Sequence, residues 1–281
     1  MEIVERASDL RATLDGWRAR GDAIAFVPTM GNLHAGHYAL ARLARAHPAA
    51  RVVVSIFVNP TQFGVGEDFE RYPRTLDADR AGLIAEGVDL LFLPGVDDMY
   101  PFGIEQAVRV HVPGLSEILC GASRPGHFDG VAGIVLRLFH MVRPDIAVFG
   151  EKDFQQLLLI RRLVADLALP VDIQAGATVR EPDGLALSSR NRYLDPDARA
   201  RAPALHATLR WMAEAWRSGE GCESIEAEAL ARLRQAGLDP DYCVLRRASD
   251  LTTPTPGDTP LRALAAARVG SARLIDNIPV V

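Results

Sequence analysis

Two hydrophobic periods alternate along the first 177 residues. Short apolar runs at 23–27, 51–58, 88–93, 145–149 and 171–175 have the length and the β-branched content of strands. The run at 51–58 is almost unbroken, as expected of a parallel strand buried on both faces. Helical spacing covers 38–46, 75–86, an apolar stretch ending near 142, and a leucine-rich stretch that opens near 154 and ends near 168. Leu10, Leu14 and Trp17 predict an amphipathic helix within 2–19, ahead of the first strand. Strands that alternate with helices predict an α/β fold, a Rossmann-like doubly wound parallel sheet with right-handed crossovers. The pattern then changes. Two helical stretches at 197–216 and 224–236 precede strand-like runs at 242–245, 262–269 and 273–275, with a turn-rich segment at 252–260. We therefore expect two domains, a Rossmann-like domain at 1–177 and a smaller C-terminal α+β domain at 178–281.

Open α/β sheets bind ligands beyond the carboxyl ends of their strands, so chemistry is expected in the loops after these runs. The first such loop is Pro28-Thr29-Met30-Gly31-Asn32-Leu33-His34-Ala35-Gly36-His37. A helix opening near His34 turns its unpaired N–H groups and its dipole toward whatever lies above the strand end, most often phosphate. His34 and His37, three apart, share that face. A surface or capping role would explain a His-x-x-His pair taken alone. Zinc needs a third ligand, and Cys120, Cys222 and Cys243 are scattered. Gly31 and Gly36 have P-loop spacing, but His37 and Tyr38 stand where a P-loop carries lysine and a small hydroxyl. A fourth reading is a resemblance to the H-x-G-H element of the nucleotidylyltransferase and class I aminoacyl-tRNA synthetase superfamily, which implies that both imidazoles stabilise charge on nucleotide phosphates, and Gly36 would leave room for the nucleotide against the backbone.

Three further loops carry polar groups. Asn59-Pro60-Thr61-Gln62-Phe63-Gly64 follows the second strand. Gly150-Glu151-Lys152-Asp153-Phe154-Gln155-Gln156 repeats the strand, loop and helix start of the first element. A Pro182-Asp183-Gly184 turn precedes Leu187-Ser188-Ser189-Arg190. Elsewhere the expectations are structural. Asp77 and Asp79 fit a solvated helix face better than a magnesium site, 121–128 reads as a mobile loop, and His140 reads as a packed core histidine.

Composition sharpens one position. Of the 31 basic residues only Lys152 is lysine, so a chain that uses arginine everywhere else keeps one compact ammonium, in a strand-end loop. The net charge of −5 leaves no footprint for nucleic acid. No apolar stretch approaches the roughly 20 residues of a membrane span, and the N-terminus lacks the pattern of a secretory signal. Three widely spaced cysteines argue against a disulfide framework, which places the protein in the cytoplasm.

Taken in order, PTMGNLHAGH, FVNPTQFG, GEKDFQQ and LSSRNRYL closely resemble the pantoate–β-alanine ligase family of the H-x-G-H nucleotidylyltransferase superfamily, over essentially the whole chain. The resemblance implies an ATP-dependent, magnesium-requiring ligation in the cytoplasm. Pantoate is activated as pantoyl adenylate with loss of pyrophosphate, and β-alanine then displaces AMP. It implies a homodimer whose C-terminal domain is a lid. It assigns catalysis to His34, His37 and Lys152. ATP binding falls to Met30, Gly31, Asn32, Leu33, His34, Ala35, Gly36 and His37, to Gly150, Glu151, Lys152 and Asp153, and to Val179, Leu187, Ser188, Ser189 and Arg190. Gln62 and Gln156 take pantoate, with Gln62 also touching β-alanine, and no metal ligand is assigned. Two other uses of a phosphate cradle stand beside this one: an adenylyltransferase with a phosphate acceptor, and a non-enzymatic nucleotide sensor.

Overall fold

The computed structural model describes residues 1–48, 50–64, 66–67 and 69–280. The chain divides into two compact units, Met1–Glu151 with Leu159–Ala177, and Lys152–Leu158 with Thr178–Val281.

The first unit is built on a six-stranded parallel sheet in the order β1-β4-β3-β2-β5-β6. Its strands are β1 (Glu2–Val4), β2 (Ala23–Thr29), β3 (Ala50–Ile56), β4 (Leu90–Phe92), β5 (Ile146–Gly150) and β6 (Asp172–Gly176). Helices α1 (Ala7–Arg18), α2 (Ala35–Arg45), α3 (Leu76–Ala85), the single turns α4 (Val96–Met99) and α5 (Cys120–Ser123), and the long α6 (His127–Val142) fill the crossovers, and α7 (Phe154–Asp166) links β5 to β6. Alternation along β2 explains the layering. Ala25 and Val27 join Val52, Val54 and Leu91 in a core under Ala41 and Ala44 of α2, while Ile24 and Phe26, also fully buried, point to the opposite face. Both faces are therefore covered, as a parallel sheet requires. Strand order reverses around β2: the chain steps outward to β3 and later returns to β5 on the other side. The carboxyl end of β2 is thus at the switch point, where doubly wound sheets open a ligand crevice.

The second unit carries an antiparallel sheet, β7 (Asp239–Arg247), β8 (Leu261–Val269) and β9 (Ala272–Val280), in that spatial order. Leu205, Leu209 and Met212 of α9 (Ala204–Arg217) and Ile225, Ala229 and Leu233 of α10 (Cys222–Gln235) pack on its small-residue face, Ala263, Ala265 and Ala267.

Several expectations are corrected. The segment 2–19 is not one helix, because Glu2–Val4 pairs in parallel with β4 before α1 begins. The helix expected at 197–216 is broken into α8 (Pro196–Arg201) and α9 by Pro203, which has no N–H to continue the ladder. β9 runs for nine residues where only 273–275 read as strand. The 121–128 segment is a helical turn leading into α6, with Arg124 and His127 tied by hydrogen bonds. His140 lies exposed on the outer side of α6 and is no core residue.

Candidate active site

β2 ends in a turn that the protein ties from both sides. The Thr29 hydroxyl donates to the Ser55 carbonyl at 2.7 Å and accepts from Gly31 N–H at 3.2 Å. Beyond the turn, His34 is the N-cap of α2. Its Nδ1 accepts from the Gly36 N–H at 3.1 Å, and His37 Nδ1 accepts from the His34 N–H at 3.3 Å. This reciprocal arrangement does for two histidines what a Ser-x-x-Glu capping box does. A neutral imidazole that accepts at Nδ1 carries its proton on Nε2, so both rings present an Nε2–H donor beside the helix N-terminus. The rings stack at 4.2 Å between centroids, tilted by 47°. Gly36 is explained by the same contact, since a Cβ there would lie 2.9 Å from His34 Cε1. The glycine makes room for the capping ring.

Asp79 of α3 holds this loop. It is 2% exposed, and its two oxygens accept from the Asn32 N–H at 2.9 Å and the Leu33 N–H at 2.8 Å, with the Thr75 hydroxyl at 3.1 Å. The solvated helix face expected for it holds only for Asp77, which is exposed. Charge-assisted bonds of this kind contribute about 1.5–3 kcal/mol each. With its carboxylate spent on backbone N–H groups, Asp79 is a clamp and not a metal ligand. Among the described residues no group of three His, Cys, Asp or Glu side chains is placed to hold a metal. The three cysteines are free thiols, and burial pushes Cys243 up to about 12 and Cys222 up to about 11.

Gln62 lies in the 3₁₀ turn after β3, and its amide is oriented by Asn59. Asn59 Nδ2 donates to Gln62 Oε1 at 3.1 Å and to the Gly130 carbonyl at 3.2 Å, while Asn59 Oδ1 accepts from the Tyr100 hydroxyl at 2.6 Å. With Oε1 engaged, Gln62 presents its NH₂, whose partner here is the weakly accepting Met30 Sδ at 3.0 Å. The backbone of the same turn is gripped from α5 and α6. His127 Nδ1 donates to the Gln62 carbonyl at 2.8 Å, Arg124 Nη2 donates to it at 3.3 Å, and Arg124 is locked to Glu67 by bonds of 2.7 and 2.5 Å. Burial raises the Glu67 carboxyl, and the Arg124 guanidinium outweighs it, holding the group below its ordinary range. Helix α6 can approach this closely only at a glycine, since a Cβ on Gly130 would meet the Thr61 carbonyl oxygen at 2.4 Å. Asn59, Asp79, Arg124 and His127 are the residues that the sequence reading left out of the site. The Asn-Pro pair at 59–60, an Asx-turn signal, pointed to the first of them.

The remaining predicted residues fall in two groups. Gly150 and Glu151 close β5 in the first unit, whereas Lys152, Asp153 and Gln156 belong to the second, together with Val179 and Leu187, Ser188, Ser189 and Arg190. The Lys152 ammonium is 3.9 Å from Asp153 Oδ2 and its side chain is one-fifth exposed, at 19%. Val179 and Leu187 are brought together, the Leu187 N–H donating to the Val179 carbonyl at 2.9 Å across a small hairpin that turns at Pro182–Gly184. Ser188 Oγ accepts from the Arg190 N–H at 3.3 Å and caps the 3₁₀ turn Ser189–Tyr193.

At the carboxyl end of the central strand of a Rossmann-like sheet, the first loop caps its helix with the two histidines of the H-x-G-H element. The model of the family described as Pantoate-beta-alanine ligase matches residues 2–279, and the chain belongs to that family. It is 58% identical to the pantothenate synthetase of Thioalkalivibrio sulfidiphilus over 281 residues, covering 100% of this chain and 98% of that protein. It is 56% identical to the pantothenate synthetase of Pseudomonas paraeruginosa, covering 100% and 99%. The crystal structure of the Thermus thermophilus pantothenate synthetase superposes with a TM-score of 0.92 at 47% identity, covering 100% of this chain and 99% of the other. That of the Francisella tularensis pantoate-beta-alanine ligase, complexed with β-γ ATP and β-alanine, superposes with a TM-score of 0.83 at 34% identity, covering 99% and 97%.

Proposed function

We propose that this chain joins pantoate to β-alanine through pantoyl adenylate, and that the residues described above divide the work as follows. A pantoate carboxylate oxygen attacks the α-phosphorus of ATP, the bond from that phosphorus to the bridging oxygen breaks, and pyrophosphate leaves with the electron pair. The amine of β-alanine then attacks the acyl carbon, AMP leaves with its oxygen, and the nitrogen gives up a proton to form the amide of pantothenate. Bringing two anions together in the first step is the main electrostatic problem. The observation that carries the reading is the reciprocal histidine cap, which puts two Nε2–H donors at a helix N-terminus beyond the central strand. His34 and His37 stabilise the departing pyrophosphate as Nε2–H hydrogen-bond donors. Lys152 serves the α-phosphate as a point charge, and Ser188, Ser189 and Arg190 bind the phosphates.

Gln62 and Gln156 hold pantoate. An amide is suited to this because it donates to a carboxylate without quenching the attacking oxygen as an ion pair would. Asn59 supports the assignment by turning the Gln62 NH₂ outward from its own bond. Magnesium would enter with ATP and would supply positive charge against the phosphates. No helix of the described residues is long and apolar enough to cross a membrane. The three widely spaced free cysteines suit a reducing compartment, and on that ground we place the enzyme in the cytoplasm. We further propose a homodimer. Sedimentation at micromolar concentration is expected to give twice the 30.5 kDa chain mass, and a single 30.5 kDa species would refute it.

Labelled pyrophosphate exchange into ATP tests the function. With magnesium, ATP and pantoate alone the enzyme should catalyse exchange, and β-alanine should be required only for pantothenate formation. A nucleotide sensor shows no exchange with any acceptor, and a phosphate-acceptor adenylyltransferase shows it with a phosphorylated compound in place of pantoate. Either result, from folded protein that binds ATP, overturns the proposal.

A further inference from the structure

The adenylation scheme makes no use of a buried polar network in the second unit. Asp276 and Asn277 occupy the middle of β9, opposite Ala265 and Leu264 of β8, and are 4% and 3% exposed. Asn277 Nδ2 donates to the backbone carbonyl of Lys152 at 2.9 Å, and Asn277 Oδ1 accepts from Arg262 Nη1 at 3.0 Å. The Arg262 guanidinium lies 4.2 Å from the centroid of the Phe154 ring, two residues beyond the lysine. On the other side, Arg180 forms a bidentate pair with Asp276 at 2.6 and 2.9 Å and also donates to the carbonyls of Asn277 at 3.2 Å and Gly184 at 3.0 Å. Gly184 is in the turn of the hairpin whose second arm leads to Leu187 and Ser188. One network therefore fixes the lysine segment at one end and, at the other, the hairpin that leads into Ser188.

Such a cluster is a poor way to stabilise a small sheet, since a buried ion pair scarcely recovers its desolvation cost. It is a good way to set geometry, because each partner is directional and a missing one leaves an unpaired buried group. Asn277 fits the junction uniquely well, being a donor on one side and an acceptor on the other.

We infer that Asn277 is a positioning residue for Lys152, setting the backbone from which the ammonium reaches the α-phosphate. The inference rests on the adenylation role given to Lys152. The test is a cycle of Asn277→Asp and Lys152→Ala read by pantoate-dependent pyrophosphate exchange. Asn277→Asp keeps an oxygen for Arg262 and replaces the donor to the Lys152 carbonyl with an acceptor. Expected is a fall in kcat of about 10- to 100-fold, the order that a displacement near an ångström costs, with KM for pantoate unchanged. In the Lys152→Ala background the same substitution should cost nothing further. Equal losses in both backgrounds, or wild-type exchange in Asn277→Asp, overturn the inference. If Asn277→Asp does not fold, Asn277→Ala takes its place in the cycle, and failure of both to fold overturns a positioning role in favour of a structural one. Lys152→Ala with wild-type exchange is a different failure, that of the adenylation role itself.

Discussion

Lys152→Ala lowers the rate of pantoyl adenylate formation by about 10² to 10³, the loss that follows removal of a single preorganised electrostatic donor at a transition state. The ammonium is available for this work. Its ion pair with Asp153 is long at 3.9 Å and part-exposed, the kind that contributes roughly 0–1 kcal/mol and that an incoming phosphate can replace. The alanine variant should therefore melt within a few degrees of the wild type, separating catalysis from folding. Lys152→Arg should recover little, because a planar fork on a longer side chain places its charge elsewhere and cannot act as a compact point charge. Single-turnover measurement of adenylate from ATP and pantoate checks both. Wild-type turnover in the alanine variant would show that the one lysine in a chain of arginines is incidental.

What could be read from the sequence follows the range of the interactions involved. The strands of the first unit were legible because Val52, Val53 and Val54 are buried on both faces and leave a continuous apolar run. A motif marked the histidine pair, whose rings cap α2, and composition marked Lys152. β1 was hidden by its length of three residues, too short to show a period. β9 was hidden by its own function: Asp276 and Asn277 interrupt the apolar pattern, yet they are buried because Arg180 and Arg262 satisfy them from distant parts of the chain. Asp79 misled for the same reason. On α3 taken alone it has the spacing of a surface carboxylate, and only the folded loop 46 to 47 residues earlier supplies the N–H groups that bury it. Arg124 and His127 looked mobile because nothing nearby in sequence reveals the Gln62 carbonyl they grip.

His34 has two jobs that substitution can separate. As N-cap it accepts from the Gly36 N–H through Nδ1, and as a proposed catalytic group it offers Nε2–H on the far side of the ring. His34→Ala removes both. It should cost about 1 kcal/mol of stability, the usual value of an N-cap side chain, and lower kcat of adenylation by about 10² to 10³. His34→Asn should divide the effects, since asparagine is among the best N-cap residues and its Oδ1 can take the place of Nδ1, while its shorter side chain has no donor at the position of Nε2. The asparagine variant is therefore expected to unfold near the wild-type temperature and to remain as slow as the alanine variant. His37→Ala should be as slow, with KM for ATP changed much less than kcat, because the interaction is made mainly as pyrophosphate departs. Pantoyl adenylate supplied directly should react with β-alanine at near wild-type rate in all three variants, since no pyrophosphate leaves in that step. If His34→Asn restores adenylation along with stability, the histidine acts only as a cap. If the supplied adenylate reacts as slowly as the full reaction, the two imidazoles serve the second step as well and the proposed division of labour is wrong.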